Sequence, residues 1–426
     1  MIDINLIRTN PELVKENMKK KFQDKKTHLV DEVKELDIKY RDLKQLADTK
    51  RSERNTLSKS IGTLMREGNS ILAEEKKKQV NLINEELTNI EKEEKNTENL
   101  IKGRMMQIPN IMEEAVPIGE NDDANVEIEV FGNPTKPDYE IPYHVDILES
   151  LAGVDLDASR RVAGHGFYYL EGDVARLHSA ILTYARDFMI DKGFKYVIPP
   201  FMVRSDIVTG VMSFTEMDDM MYKIEGEDLY LIGTSEHSTI GKFKNQIIEP
   251  SKLPIALTSY SPCFRKEKGA HGIEERGIYR VHQFEKQEMI VVCEPSESKV
   301  WFDKLYNYTI EFFKTLEIPV RSLEICSGDL TDLKSRSIDI EAWSPRQQKY
   351  FEVGSCSNTT DAQSRRLNTR IKGTPNYYPH ILNNTVVAPP RMLICFIENH
   401  YGKDGSIKIP KVLRPYMGGI DKIECN

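Results

Sequence analysis

With 426 residues, 30% of them charged and 39% hydrophobic, the chain is long enough for more than one domain and has the composition of a folded globular protein. Its net charge of −8 argues against broad nucleic-acid affinity, which rests on many Lys and Arg neutralising phosphate. No apolar run approaches the ~20 residues that span a bilayer, and MIDINLIRTNPE lacks the regions of a signal peptide, so a cytoplasmic protein without membrane contact is expected.

Residues 1–105 read as helical almost throughout. Leu29, Val33, Leu36, Tyr40, Leu43, Ala47, Lys50, Arg54, Leu57, Ile61 and Leu64 alternate spacings of four and three, the seam of a coiled coil. After Gly68-Asn69 a second seam follows: Val80, Ile83, Leu87, Ile90, Glu94, Thr97 and Ile101. No proline lies between Pro11 and Pro109, so two helices of about 35 residues form an antiparallel hairpin projecting roughly 50 Å. Such a hairpin reaches toward a large partner or serves as an oligomerisation coil. The segment holds 23 basic and 20 acidic residues, so its small basic excess fits either an RNA footprint or a solvated surface. Lys50 and Arg54 interrupt the seam as a register device or an RNA contact.

Residues 106–140, with Pro109, Pro117, Gly119, NDDANVEIEV and GNPTKP, read as a linker wrapping onto a domain from 141 to 426. There a helix near 173–191 shows Leu177, Ile181, Tyr184 and Phe188 on one face and closes at Gly193. Strands are expected in FKYVIPPFMV, YLIGTSE, PIALTSYSPCFRKE, GIYRVHQFEKQEMIVV, SIDIEAWSP and KYFEVGSCS. Neighbouring strands with short turns give a mainly antiparallel sheet with helices packed on it, an α+β domain.

Between the apolar strands lies FRKEKGAHGIEERGIYRVHQFEKQE (264–288), dense in both charge signs. Arg280, Phe284 and Glu288 share one parity, and Arg265 and Glu267 share a face on the preceding strand. A single surface with two arginines, two carboxylates and an aromatic ring can grip phosphate, stack on a purine and hold an ammonium group or a metal. A solvated hairpin loop is the plain alternative, in which His271 and His282 are hydrogen-bonding residues. Pro262 requires an edge or a bulge. Neither G-x-x-x-x-G-K-[ST] nor G-x-G-x-x-G occurs, GHGFYYLEG included, so a nucleotide would bind without those loops. The six cysteines (Cys263, Cys293, Cys326, Cys356, Cys395, Cys425) form no C-x-x-C pair, and His237 has no second ligand at helical spacing, so neither disulfides nor zinc are expected.

These stretches together resemble class II aminoacyl-tRNA synthetases, and specifically the seryl-tRNA synthetase family. FKYVIPPFMV resembles the first class motif, FRKE with RVHQFEKQE the second, and APPRMLICFIENH the third. GTSE, FEVGSCSN with DAQSRRLNTR, LNNT and VLRPYMGG resemble stretches particular to the seryl family, and the N-terminal coil resembles its tRNA-binding arm. The resemblance implies the class II antiparallel sheet flanked by helices, ATP with Mg²⁺, L-serine, a homodimer, and tRNA(Ser) held by the arm of the partner subunit. It implies a ligase that activates serine as seryl-adenylate and esterifies the 3′ end of tRNA, with selenocysteine tRNA left open as a second acceptor.

By position, Arg265 would hold the α-phosphate, Glu267 would support the nucleotide and the tRNA end, and Arg391 would grip the far phosphates. Phe284 would stack on adenine beside the Val281 backbone. Glu352, Val353, Gly354 and Ser355 would meet ATP, with Glu352 and Ser355 on its magnesium. Thr234, Glu236, Glu288 and Thr385 would hold serine. Two positions depart from the bacterial pattern: Pro389-Pro390 replaces glycines before the arginine, and Gly354 stands where serine is common. NNT at 383–385 is similar to archaeal and eukaryotic members. A serine-activating paralogue serving a carrier other than tRNA and a non-catalytic RNA-binding relic are the competing readings.

Overall fold

The structure, a computed structural model, describes residues 1–267 and 277–425. His271 and most of the charged loop therefore lie outside the described residues. The chain forms two compact units, Ile2–Pro109 and a larger one of Asn110–Asn426 with Met1.

In the smaller unit, helices α1 (His28–Arg66) and α2 (Ser70–Met105) form the hairpin that the heptads predict. At ~1.5 Å per residue α1 is about 58 Å long, somewhat beyond the expected reach. The turn uses Gly68 at φ +79°, and Asn69 caps α2 by accepting from Leu72 N. Leu29, Val33 and Ala47 on α1 and Ile83, Leu87 and Thr97 on α2 are buried along the seam. Lys50 spans it to Glu86 at 2.7 Å, so this seam cation is neutralised from the opposite helix. Asp37, almost fully buried on α1, is gripped by Arg8 at 2.6 and 2.9 Å and by Arg41 at 3.1 Å. A carboxylate so enclosed is tolerated because the fork of Arg8 satisfies both oxygens, and its acidity is strengthened accordingly.

The larger unit is built on an eight-stranded sheet. In chain order its strands are β1 (Val126–Phe131), β2 (Lys195–Val197), β3 (Ile255–Phe264), β4 (Gln283–Cys293), β5 (Val320–Glu324), β6 (Arg336–Ser344), β7 (Lys349–Asn358) and β8 (His380–Val387). Across the sheet they run β1-β5-β6-β7-β8-β4-β3-β2. All neighbours are antiparallel except β2 against β3. The edge strand β1 lies within the stretch expected as linker; the alternation of Val126, Ile128 and Val130 with Glu127 and Glu129 is a strand signal that the surrounding Pro, Gly and acidic residues obscured.

Alternation along β4 divides the core. Met289, Val291 and Cys293 join a large cluster with α3 (Gly172–Asp191) and α5 (Ser298–Thr315), whereas Ile290 and Val292 pack with Ile240 and Phe243 on the other face. That second face is covered by α4 (Ser235–Gly241) and α6 (Ala362–Leu367). Phe284, Lys286 and Glu288 share its parity.

YLIGTSE is not one strand. Only Tyr230–Leu231 pairs as a strand, and Thr234 caps α4, its hydroxyl accepting from Glu236 N at 3.3 Å. A threonine ahead of Ser-Glu is a helix start signal that competes with the apolar run before it. Pro262 sits in unbroken register opposite Glu285, without a bulge. Strand β2 covers β3 only at Leu257–Ser259, so the missing N–H of Pro262 falls where that edge is free.

Candidate active site

Strands β4, β6, β7 and β8, the segment just after β3 and the N-terminus of α7 (Arg391–His400) line one cavity of about 890 Å³. Arg265, Glu267, Val281, Phe284, Glu352, Val353, Gly354, Ser355, Arg391, Thr234, Glu236 and Thr385 all line it. Glu288 does not reach the wall. It is buried behind Lys286, which contacts one of its oxygens.

On one side, the Arg265 guanidinium lies 5.1 Å over the Phe284 ring and its Nε donates to Gly233 O at 3.2 Å. Arg280 Nη1 stands 3.6 Å from Glu267 Oε2. Glu267 adopts φ +47°, a left-handed conformation costly for a side chain, which turns the chain out of β3. The backbone here is tied down: Arg265 N donates to His282 O at 3.0 Å and Lys266 N to Met220 O at 2.9 Å. His282 Nδ1 lies 3.0 Å from both Arg265 O and Tyr222 Oη, so this histidine is a brace. It also explains the middle glycine of GHGFYYLEG. Gly166, at φ +78°, accepts from His282 N at 2.8 Å, and a Cβ there would meet the imidazole at 2.5 Å.

At the opposite side, Arg391 Nη1 donates to Glu352 O and Oε2 at 3.2 and 3.3 Å and its guanidinium lies 4.8 Å over Tyr279. Pro389 and Pro390, also in the wall, precede α7, so the helix starts at Arg391 despite the absence of glycine. Ser355 Oγ receives Lys334 Nζ at 3.2 Å and faces Ser337 Oγ at 3.0 Å. Across the β6–β7 pair from Ser355 stands Asp339, whose carboxyl is raised to about 7 by burial and by Glu352.

Between these walls lies a pocket of neutral and acidic groups. Thr234 Oγ1 donates to Glu288 Oε1 at 2.8 Å, and Thr385 is the register partner of Glu288 on β8. Glu288 Oε2 is buried with no hydrogen-bond partner. Glu236 Oε1 accepts from Gln363 and Asn383, each at 3.1 Å. Burial and nearby Glu288 raise the Glu236 carboxyl to about 7. His237 beside it is pushed down to about 3 by burial and by Arg265 and Lys286, and stays neutral.

Sequence reasoning missed Lys286, Lys334, Asp339, Gln363 and Asn383. Lys286 was accessible to it, since it shares the parity of Phe284 and Glu288. Among the described residues no three of His, Cys, Asp and Glu are grouped to hold a metal, five cysteines are buried and Cys425 is exposed. No helix among them is long and apolar enough to cross a membrane.

Cations on both walls with carboxylates and hydroxyls between them suit an anionic nucleotide beside an amino acid. Comparison with known proteins bears on this directly. Residues 1–112 match the seryl-tRNA synthetase N-terminal domain, and residues 220–400 match the tRNA synthetase class II core domain (G, H, P, S and T). Serine--tRNA ligase of Thermococcus sibiricus is 42% identical over 441 aligned positions, covering 98% of this chain and 96% of that protein. The chain belongs to the seryl-tRNA synthetase family.

Solved structures of this family agree over the full length. Seryl-tRNA synthetase from Pyrococcus horikoshii, complexed with ATP, superposes with a TM-score of 0.92 at 38% identity, each chain covered completely. Cytoplasmic serine-tRNA ligase of Naegleria fowleri, in complex with AMP, gives 0.88 at 35%, covering 100% of this chain and 99% of that one.

Proposed function

We propose that this seryl-tRNA synthetase family member joins ATP and L-serine as seryl-adenylate in the cavity and then esterifies tRNA with the seryl group. The observation that carries the reading is the convergence of Thr234, Glu236, Thr385 and the arginine Arg265 on one cavity, with Glu288 directly behind. The ATP and AMP complexes of the two superposed relatives support a nucleotide in the same fold.

In the first step a serine carboxylate oxygen bonds to the α-phosphorus and the bond to the β-phosphate bridging oxygen breaks, releasing pyrophosphate. Two anions must approach, and charge builds on the phosphorus oxygens and the leaving group. Arg265 on the α-phosphate and Arg391 toward the far phosphates offset that charge, and fixed positions remove the entropy of encounter. Phe284 stacks on adenine beside the Val281 backbone, and Glu267 supports the nucleotide and the tRNA end. Val353 and Gly354 border the nucleotide, while Glu236, Glu288, Thr234 and Thr385 receive serine's ammonium and hydroxyl. In the second step a ribose hydroxyl of the tRNA end attacks the seryl carbonyl and AMP leaves.

An all-oxygen donor set fits magnesium: Glu352 and Ser355, with the Asp339 carboxyl bonded to Ser355, leave further positions to phosphate oxygens. When bound with ATP, the ion neutralises phosphate charge. Residues 1–105 act as the tRNA-binding arm, 106–140 as the connection and 141–426 as the aminoacylation domain. A homodimer in which the arm serves the partner's site completes the reading. Matches to both the arm and the core family models, with the arm's helices intact, disfavour a carrier-loading paralogue and a non-catalytic relic.

Serine-dependent ATP–pyrophosphate exchange tests the first step, and charging of purified tRNA tests the second. Folded Arg265→Ala is expected to lose exchange by about 10²–10³-fold. Exchange by that variant at the parent rate would sink the assignment.

A further inference from the structure

Glu236 owes its orientation to two amides that the reaction scheme leaves unused. Gln363, on α6 and almost fully buried, has both of its N–H donors committed. Its Nε2 donates to Val211 O and to Glu236 Oε1, both at 3.1 Å, and its Oε1 accepts from Thr359 Oγ1 at 2.9 Å. Val211 O can only accept, so the amide can face Glu236 only with its NH₂ end. Asn383 Nδ2, from β8, reaches the same oxygen of Glu236 at 3.1 Å. Both donors thus engage Oε1, leaving Oε2 as the oxygen available to a ligand in the cavity.

Building on the reading of Glu236 as a serine ligand, we propose that Gln363 is a positioning residue for serine recognition, an amide clamp that orients the Glu236 carboxylate. A neutral donor fixed on one oxygen stabilises the charged form without competing for the substrate ammonium, as a lysine there would. The clamp works within a defined field: Glu288 from β4 opposes ionisation of Glu236, while Lys286 from β4 and Lys334 from the segment before β6 favour it. Loss of the Gln363 donor therefore weakens serine binding and makes Glu236 easier to protonate.

The test is steady-state ATP–pyrophosphate exchange on the full-length protein over pH 5.5–9, comparing the parent with Gln363→Met, which keeps volume and removes both donors. KM for serine is expected to rise about tenfold, with kcat and KM for ATP within about twofold of the parent. The acidic limb of kcat/KM for serine is expected to move upward by about half a pH unit or more. In a Glu236→Gln background the same substitution should add much less to the serine KM, because the charge that the donor supports is gone although an amide oxygen remains. Should Gln363→Met not fold, Asn383→Ala removes the other donor to the same oxygen and should move both readouts in the same direction.

A folded variant with unchanged serine KM and pH limb, or an undiminished effect in the Glu236→Gln background, overturns the clamp. Absence of serine-dependent exchange in the parent would instead overturn the underlying reading, and the clamp with it.

Discussion

Glu288 lies close enough to Glu236 to discourage its ionisation, yet the surroundings of the two differ. Glu236 has two amide donors, while Glu288 has a threonine hydroxyl and a lysine. With its carboxyl raised to about 7, Glu236 is charged above that pH and neutral below it. Only the charged form attracts serine's ammonium, so kcat/KM for serine is expected to fall toward tenfold per unit as pH drops below about 7. An acidic limb below pH 5 in serine-dependence assays would contradict this. At Gly354 the constraint is space. A Cβ there would stand 3.2 Å from Thr385 Cβ, with no positive φ to oppose a side chain. Gly354→Ala is expected to displace Thr385 by a few tenths of an ångström and raise the serine KM about three- to tenfold, short of the ~10²-fold cost of a 1 Å error. KM for ATP, measured in the same exchange assay, should change less.

At the scale of elements, the arm was the most legible feature because heptad spacing survives without tertiary context. Every seam position read from the sequence is buried or half-buried in the hairpin. The alternation of β4 was equally plain, and it carried Phe284 and Glu288 to the site face. Lys286, at the same parity, was overlooked, and Gln363 and Asn383, though they lie in the family-like stretches DAQSRRLNTR and LNNT, had no signal for their individual roles. Their role arises from Glu236 on α4, Gln363 on α6 and Asn383 on β8 meeting in space, which no spacing within one segment encodes. The start of α4 was obscured by the apolar run before Thr234. Because the arm forms its own compact unit, its stability is expected to separate from the chemistry of the core. Leu87→Ala, at a buried seam position, is expected to destabilise the hairpin by about 2 kcal/mol, the low end for a core leucine. Hydrogen exchange along residues 70–105 should rise and tRNA charging fall, with pyrophosphate exchange preserved.

For the molecule as a whole, the proposed homodimer predicts a species of twice the 49.0 kDa chain mass in sedimentation, stable at assay concentrations. A further consequence follows from Lys286. The carboxylate assigned to the amino acid already has a tethered cation against it, so an incoming amine swaps one positive charge for another. On the proposed assignment, recognition there would behave as ion exchange, in which a bare amine gains little because it merely replaces the lysine. Serine gains because its carboxylate and hydroxyl find further partners. Discrimination against small amines is thus supplied by a counter-ion carried on the protein itself.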